Sequence, residues 1–387
     1  MNRKDEILKI FPRDLRSLLG QVPAEFEEIQ EIRLRAGRPL FMVCGGREYV
    51  VGGTGRLLEP GRAGEPYLVT QAQLRETVEF MGSYSLYAAE EELRQGFITI
   101  QGGHRIGVAG RTLADRQGVR LMKFISFINV RVAHQVMGCA DGVMDRLYGQ
   151  PENGQPARFL STLVISPPLC GKTTLLRDMI RQISEGRPGI PGMTVGVVDE
   201  RSELGACYQG VPQNDLGPRT DVLDCCPKAQ GMMMLVRSMS PQVVAVDEIG
   251  SMEDVEAIDY IRSCGCSLAA TVHGSCLDDI MRKPVLGRLV SEGVFQRYIL
   301  LSQESGGGRT VQVLDSAGRP VGGAGERQRS PGEQPGRLEN AQRSLGEQPG
   351  SLENAQRSRV EVPDSPGGPP GHPAPLQPLR RGDRICG

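Results

Sequence analysis

The rhythm of apolar and polar positions divides the chain into three regions. From residue 1 to 147, helical and strand patterns are mixed. "FEEIQEIRLRAG" passes from a charged helical stretch into alternation, with Ile32 and Leu34 against Arg33 and Arg35, which predicts a half-buried strand. "GFITIQGGHRIGVAGR" carries two alternating runs about Gly102-Gly103 and predicts a hairpin, its Gly-Gly-His-Arg being first of all a turn. A small N-terminal α+β domain is expected there. "YGQPENGQPAR", residues 148–158, is rich in Gly, Pro and Asn and reads as a linker. From 159 to 317, apolar runs of strand length alternate with helical segments, the pattern of a parallel sheet with crossover helices. Beyond it, "SPGEQPGRLENAQR" (330–343) returns as "SLGEQPGSLENAQR" (344–357), and the remainder is rich in Pro and Gly. Two copies of so polar a unit cannot bury a core, so residues 318–387 are expected to be a disordered tail.

Four apolar runs of the middle region end in residues that carry chemistry. The first, "FLSTLVIS", leads into "PPLCGKTTLLRDMIRQIS", whose Leu175, Leu176, Met179 and Ile180 follow a helical period. Strand, loop and helix in that order suit a phosphate-binding loop, G-x-x-x-x-G-K-[ST]. Gly171, Lys172 and Thr173 stand in place, while Ser166 occupies the position of the first glycine. The candidate nucleotide-binding segment is Ser166, Pro167, Pro168, Leu169, Cys170, Gly171, Lys172, Thr173 and Thr174. Its backbone N–H groups and the helix N-terminus would face the phosphates of ATP, with Lys172 as a point charge on the terminal ones. Thr173 would hold Mg²⁺ through its hydroxyl. A β-carbon at position 166 is expected to strain a tight turn by about 1–3 kcal/mol and to loosen the nucleotide. Cys170 reads as a small filler rather than a redox switch.

The other three runs are "TVGVVDE", ending at Asp199-Glu200, "QVVAVDE", ending at Asp247-Glu248, and "SLAATVHG", ending at Thr271-His273. In an open parallel sheet the ligand lies outside the carboxyl ends of the strands, so all four ends share one edge. Asp247 then suits the metal-ordering acid and Glu248 the group that activates water, with Glu200 as the alternative base. The stretch Asp199 to Glu203 also reads as a solvated turn, and His273 as a structural histidine. Arg219 in "GPRTDVLD" and Arg237 in "LVRSMSP" are either surface charges or arginine fingers. The expected fold class is α/β, a RecA-like P-loop NTPase core beside the smaller α+β domain.

Composition narrows the partners. The 387 residues carry a formal net charge of -1, with no Trp and 4% aromatics, so neither an electrostatic grip on nucleic acid nor a stacking platform for single strands is expected. Ten cysteines contain no C-x-x-C pair and do not cluster with the four histidines, which argues for free thiols in a reducing compartment rather than zinc or disulfides. "MNRKDEILKIFPRDL" lacks an apolar signal core, and no run of 18 uncharged apolar residues occurs. A soluble, cytoplasmic chain is expected, attached to membranes only through partners.

The string "DERSELGACYQGVPQNDLGPRTDVLDCCPKAQGMMMLVRSMSPQVVAVDEIG", read whole, resembles the stage III AA family of sporulation ATPases of endospore-forming bacteria, relatives of the secretion and pilus motor ATPases. "IRLRAGRPL", "GFITIQGGHRIGVAGR" and "FINVRVAH" extend the likeness over about residues 28–315. The resemblance implies nucleotide contact by the 166–174 loop. It sets Asp199-Glu200-Arg201 and Glu203 at the acidic box of the secretion ATPases and Thr271-Val272-His273 at their histidine box. Arg237 falls where those enzymes carry an arginine before the Walker-B strand. The resemblance also implies a homo-oligomer, a hexamer, in the mother-cell cytoplasm, docked on membrane proteins of the channel complex that links mother cell and forespore. The expected function is an ATP-hydrolysing motor that energises or assembles that trans-envelope channel. Two alternatives stay open: a nucleotide-gated scaffold without turnover, which Ser166 makes conceivable, and a nucleic-acid-dependent ATPase, which the neutral charge and sparse aromatics oppose.

Overall fold

The structure, a computed structural model, describes residues 3–61, 64–81, 96–115, 118–151, 156–303, 309–322 and 326–328. The repeats at 330–357, the rest of the tail from 329 on, and residues 152–155 of the expected linker lie outside the described residues.

The alternation of "IQEIRLR" becomes the strand Ile29–Arg35, with Ile32 and Leu34 buried. A 3-10 turn, Phe26–Glu28, stands where a charged helix was expected, because the strand pattern begins immediately after it at Ile29. This strand is central in a seven-stranded antiparallel sheet, between Phe41–Cys44 and Gly118–Arg131. The expected hairpin forms from Phe97–Ile100 and His104–Asp115, with Ile100 opposite His104 across the Gly102-Gly103 turn. Leu15, Leu18 and Leu19 of the helix Arg13–Gly20 and Leu74 and Val78 of Gln71–Met81 share one buried core with Ile32, Leu34 and Met42.

The four apolar runs that end in chemistry form strands of a second sheet. Its order is Thr220–Asp224, Val195–Asp199, Val243–Val246, Ser267–His273, Thr162–Ser166, Arg297–Gln303, Arg309–Asp315 and Glu326–Gln328. The first six run parallel, and Arg309–Asp315 runs against them, antiparallel to both of its neighbours. Side chains alternate between two helical layers, which is why these runs are apolar throughout. Val164, Val197 and Ala245 pack with Leu175, Leu176 and Met179 of the helix Lys172–Glu185. Leu163, Ile165, Val198 and Val246 pack with Met232, Leu235, Val255 and Ile258 from the helices Lys228–Met239 and Met252–Ser263.

The strand Ser267–His273 lies between the phosphate-loop strand and the strand that leads to Asp247, the arrangement of a RecA-like core. His273 pairs with Ser166, and Asp199 with Asp224, so the carboxyl ends are level along one edge. The sheet runs past residue 317: Glu326–Gln328 pairs with Arg309–Val311, and the Val321 N–H donates to the Val313 carbonyl at 2.8 Å.

Candidate nucleotide site

Ser166 is the last residue of the strand Thr162–Ser166 and is fully buried. Its hydroxyl donates to the Pro167 carbonyl at 2.6 Å, and its own carbonyl accepts the Gly274 N–H at 3.1 Å. The strain expected at Ser166 is not there: it is not among the residues of positive φ. Pairing with His273 keeps it in the sheet, and the chain turns only afterwards, through Pro167 and Pro168. The left-handed positions are Leu169 (φ 63), whose side chain is 97% exposed, and Gly171 (φ 85). Cys170 is buried, its thiol donating to the Pro168 carbonyl at 3.6 Å, and the Thr174 carbonyl accepts from the Cys139 thiol at 3.5 Å. Gly171 begins the helix Lys172–Glu185, and no described side chain caps its first turn. Those amides are available to an anion.

The two carboxylates of the Val243–Val246 strand end have separate surroundings. Asp247 accepts the Thr173 hydroxyl at 2.7 Å and also the Thr271 hydroxyl, with the Lys172 ammonium 4.0 Å away. These hard oxygen donors, Thr173 and Asp247, fit a Mg²⁺ ion that shares its shell with phosphate oxygens. Glu248 stands at φ 57, a conformation rare for a residue with a β-carbon. Its N–H donates to the Thr271 hydroxyl at 2.8 Å. Its carboxylate lies 3.2 Å from Arg201 Nη1, 3.2 Å from His273 Nε2 and 4.0 Å from Lys172 Nζ. His273 is held in turn through its carbonyl, which accepts from Lys283 Nζ at 2.6 Å, so it belongs to the cluster rather than to the core.

The neighbouring strand end divides its acids differently. Asp199 is buried and accepts the N–H groups of Glu203, Leu204 and Gly205 at 2.8, 3.0 and 2.7 Å. Burial raises its pKa, and the three amides oppose that shift. Asp199 therefore builds the turn from a buried position, where a solvated turn was the alternative reading, while Glu200 and Arg201 reach the cleft. Glu200 is paired with Lys228 at 2.9 Å. Glu200, Arg201, Lys228, Glu248, His273 and Lys283 line a cleft of about 800 Å³.

Arg219 and Arg237 lie outside this cluster. Arg219 precedes the strand Thr220–Asp224 and donates from Nη1 to the Ser184 carbonyl at 2.8 Å. Five residues of strand, about 16 Å at 3.3 Å each, separate it from the carboxyl edge. Arg237, in the last turn of Lys228–Met239, stacks 5.5 Å over the Tyr260 ring. Three roles escaped the sequence: Lys228 as the partner of Glu200, Thr271 as the hydroxyl shared by Asp247 and Glu248, and Arg105 as a contact to the 201–203 loop. A threonine inside an otherwise apolar run was the available signal for the second; the other two had none. No described helix is long and apolar enough to cross a membrane, and the described residues hold no cluster of three or more His, Cys, Asp or Glu suited to a metal.

Comparisons with known proteins bear on the family and the fold. The chain is 39% identical over 319 residues to the Stage III sporulation protein AA of Bacillus subtilis (strain 168), covering 81% of this chain and 96% of that one. The protein SEEDLING PLASTID DEVELOPMENT 1 of Arabidopsis thaliana is 29% identical over 198 residues, 50% of this chain and 26% of that protein. Among solved structures, the pilus retraction motor PilT with bound ADP matches with a TM-score of 0.50 at 16% identity, over 80% of this chain and 82% of that one. That likeness speaks for the shared α/β fold. A family model, Sporulation stage III, protein AA, matches residues 1–321, and the chain belongs to that family.

Proposed function

We propose that this sporulation protein is an ATP-hydrolysing motor ATPase with Glu248 as its base. The observation that carries this reading is the left-handed Glu248, held by the Thr271 hydroxyl and aimed at Lys172, Arg201 and His273. A strained non-glycine conformation persists only where the surroundings over-determine it, and such residues concentrate at functional sites. The uncapped helix start and Lys172 receive the β- and γ-phosphates. Thr173 and Asp247 would hold a Mg²⁺ ion, which would supply positive charge to the phosphate oxygens. Glu248 orients a water for in-line attack on the γ-phosphorus; the bond to the bridging oxygen breaks, ADP leaves with the electron pair, and Glu248 takes the water's proton. His273 fixes Oε1 of that carboxylate. Glu248 lies 4.0 Å from the phosphate-binding Lys172, whereas the ion pair of Glu200 is with Lys228, which makes Glu200 the less suitable base.

The wider assignment rests on family membership. It is a homo-oligomer, a hexamer, in the mother-cell cytoplasm, on membrane proteins of a trans-envelope channel that it energises or assembles. Arg219 and Arg237, remote from the site in their own chain, serve a neighbouring subunit's nucleotide in this reading. The functional units we assign are 1–147, the linker 148–158, the ATPase domain 159–317 and a tail from 318, whose first residues still pair with that domain's sheet at Glu326–Gln328.

Phosphate release by the purified chain tests the reading. Glu248→Gln should bind ATP and lose at least ~10²-fold in turnover, and Glu200→Gln should lose less. Wild-type protein that binds ATP and releases no phosphate would instead be a nucleotide-gated scaffold.

A further inference from the structure

The loop 200–217 is strained and is restrained from outside itself. Ser202 (φ 51), Ala206 (φ 48) and Gln209 (φ 51) all stand in the left-handed region. Part of the restraint is local, through Asp199 and through the Ser202 hydroxyl, which accepts the Cys207 N–H at 3.0 Å. The remainder comes from Arg177 of the helix Lys172–Glu185, which donates to the Glu203 and Leu204 carbonyls at 2.6 and 3.1 Å, and from the N-terminal domain. The Gly102 N–H donates to Gln213 Oε1 at 2.9 Å. Gln135 and Asp215 exchange two bonds, Asp215 N–H to Gln135 Oε1 at 2.8 Å and Gln135 Nε2 to the Asp215 carbonyl at 2.7 Å. Gly103, at φ +76, comes so near that a β-carbon there would lie 2.9 Å from that of Ala206.

Arg105 follows in the same hairpin. Its guanidinium stacks 4.2 Å over the Phe97 ring, which fixes its direction. From there it donates to the Arg201 carbonyl at 2.5 Å and stands 3.6 Å from the Glu203 carboxylate. Arg201 is the residue whose side chain meets Glu248 at 3.2 Å, and its carbonyl belongs to the peptide that joins it to left-handed Ser202.

We infer that Arg105 is a positioning residue for hydrolysis: by holding the main chain at Arg201 it sets the Arg201 guanidinium, and through it the Glu248 carboxylate. It acts through Arg201 and needs no contact with nucleotide. The inference rests on the reading of Glu248 as the base. It makes the hairpin turn of the N-terminal sheet part of the apparatus that keeps the base in place.

The test uses the full chain with Arg105→Ala, Gly103→Ala, Arg201→Ala and the Arg105→Ala/Arg201→Ala pair. Arg105→Ala should lower kcat about tenfold, the equivalent of ~1.4 kcal/mol, with ATP affinity within about twofold of wild type. In the Arg201→Ala background the same change should alter kcat by less than about twofold, because the link is already cut. Hydrogen exchange of the 200–217 amides should quicken about tenfold or more in Arg105→Ala and in Gly103→Ala, while the helix Lys172–Glu185 keeps its protection. An equal loss of kcat in both backgrounds overturns the inference, since it would mean that Arg105 merely docks the two sheets. Unchanged exchange in the loop overturns it as well. The exchange measurement needs no turnover, so an inert wild type would sink the hydrolytic reading while the restraint on the loop is still decided.

Discussion

Replacing Thr271 by Val removes one hydroxyl and almost nothing else. The side chain is fully buried, and valine fills nearly the same space. The hydroxyl makes two bonds: it donates to Asp247 Oδ1 and accepts the Glu248 N–H at 2.8 Å. Leaving the Glu248 amide without its acceptor costs about 1–3 kcal/mol, and a lost bond to the Asp247 carboxylate about 1.5–3 kcal/mol. Thr173 and Lys172 remain to solvate Asp247, which reduces the second figure. Glu248, no longer held at φ 57, can relax and recover strain of about 1–3 kcal/mol. The net loss of stability is therefore on the order of 1–3 kcal/mol. That relaxation moves the base, and at 1.4 kcal/mol per factor of ten a comparable loss in the transition state lowers kcat by about 10- to 100-fold. Thr271→Ser keeps the hydroxyl and loses a methyl, so it should be destabilised by about 1 kcal/mol with turnover near wild type. Steady-state phosphate release, paired with urea unfolding of both variants, makes the comparison. A Thr271→Val protein with wild-type kcat would refute the argument, because either the hydroxyl does not hold Glu248 or Glu248 is not the base.

Ser166→Gly restores the motif's glycine, yet Ser166 sits unstrained at a strand end; the change should cost about 0.5–1 kcal/mol in stability without tightening ATP. Calorimetric titration showing affinity improved more than about threefold would mean that the β-carbon does obstruct the loop. Asp178 is subject to burial, which raises its pKa, but the Ala140 and Gly138 amides and the Arg181 guanidinium together hold it below its ordinary value of 3.8. Its stabilising contribution is therefore complete above that value and is lost as pH falls towards the folded pKa; Asp178→Asn should be less stable at neutral pH and lose less on acidification. Urea midpoints that fall in parallel for both proteins below about pH 4 would rule this out. Lys172→Ala mixed with Arg237→Ala, or with Arg219→Ala, should regain turnover at shared interfaces if either arginine acts in trans. Arg219→Ala should also lose about 1 kcal/mol of stability with its bond to the Ser184 carbonyl, and recovery in neither mixture ends the in-trans assignment.

Buried parallel strands were legible because both of their faces are covered, so the runs before Ser166, Asp199, Asp247 and His273 are apolar throughout. The edge strand Thr220–Asp224 was not read as one, since none of its side chains is buried and in "TDVLD" only two adjacent apolar residues stand between acids, with no alternation to mark a strand. Strand order was beyond reach: the position of Ser267–His273 beside the phosphate-loop strand depends on pairing between residues more than a hundred apart. Ser166 misled because the motif describes a turn, whereas two prolines postpone the turn and leave Ser166 in the sheet. The place of Arg219 went unread with that strand, because only a residue known to precede a strand is put at the sheet's other edge.

The candidate site shows where local reading stops. A run of apolar residues followed by an acid is a short-range pattern, and it locates Asp247 and Glu248 at the carboxyl edge without reference to the rest of the chain. What distinguishes Glu248 from Glu200 is not their position, since both follow an aspartate at a strand end. Glu200 meets Lys228, 28 residues on. Glu248 is bent into a left-handed backbone by a threonine 23 residues on and faces an arginine 47 residues before it. That arginine's main chain is held by Arg105, 96 residues earlier still and in another sheet. Each restraint is supplied by a more distant part of the chain than the last. The identity of a base can thus be narrowed to two by local pattern, and the choice between them belongs to contacts that only the folded sheets create.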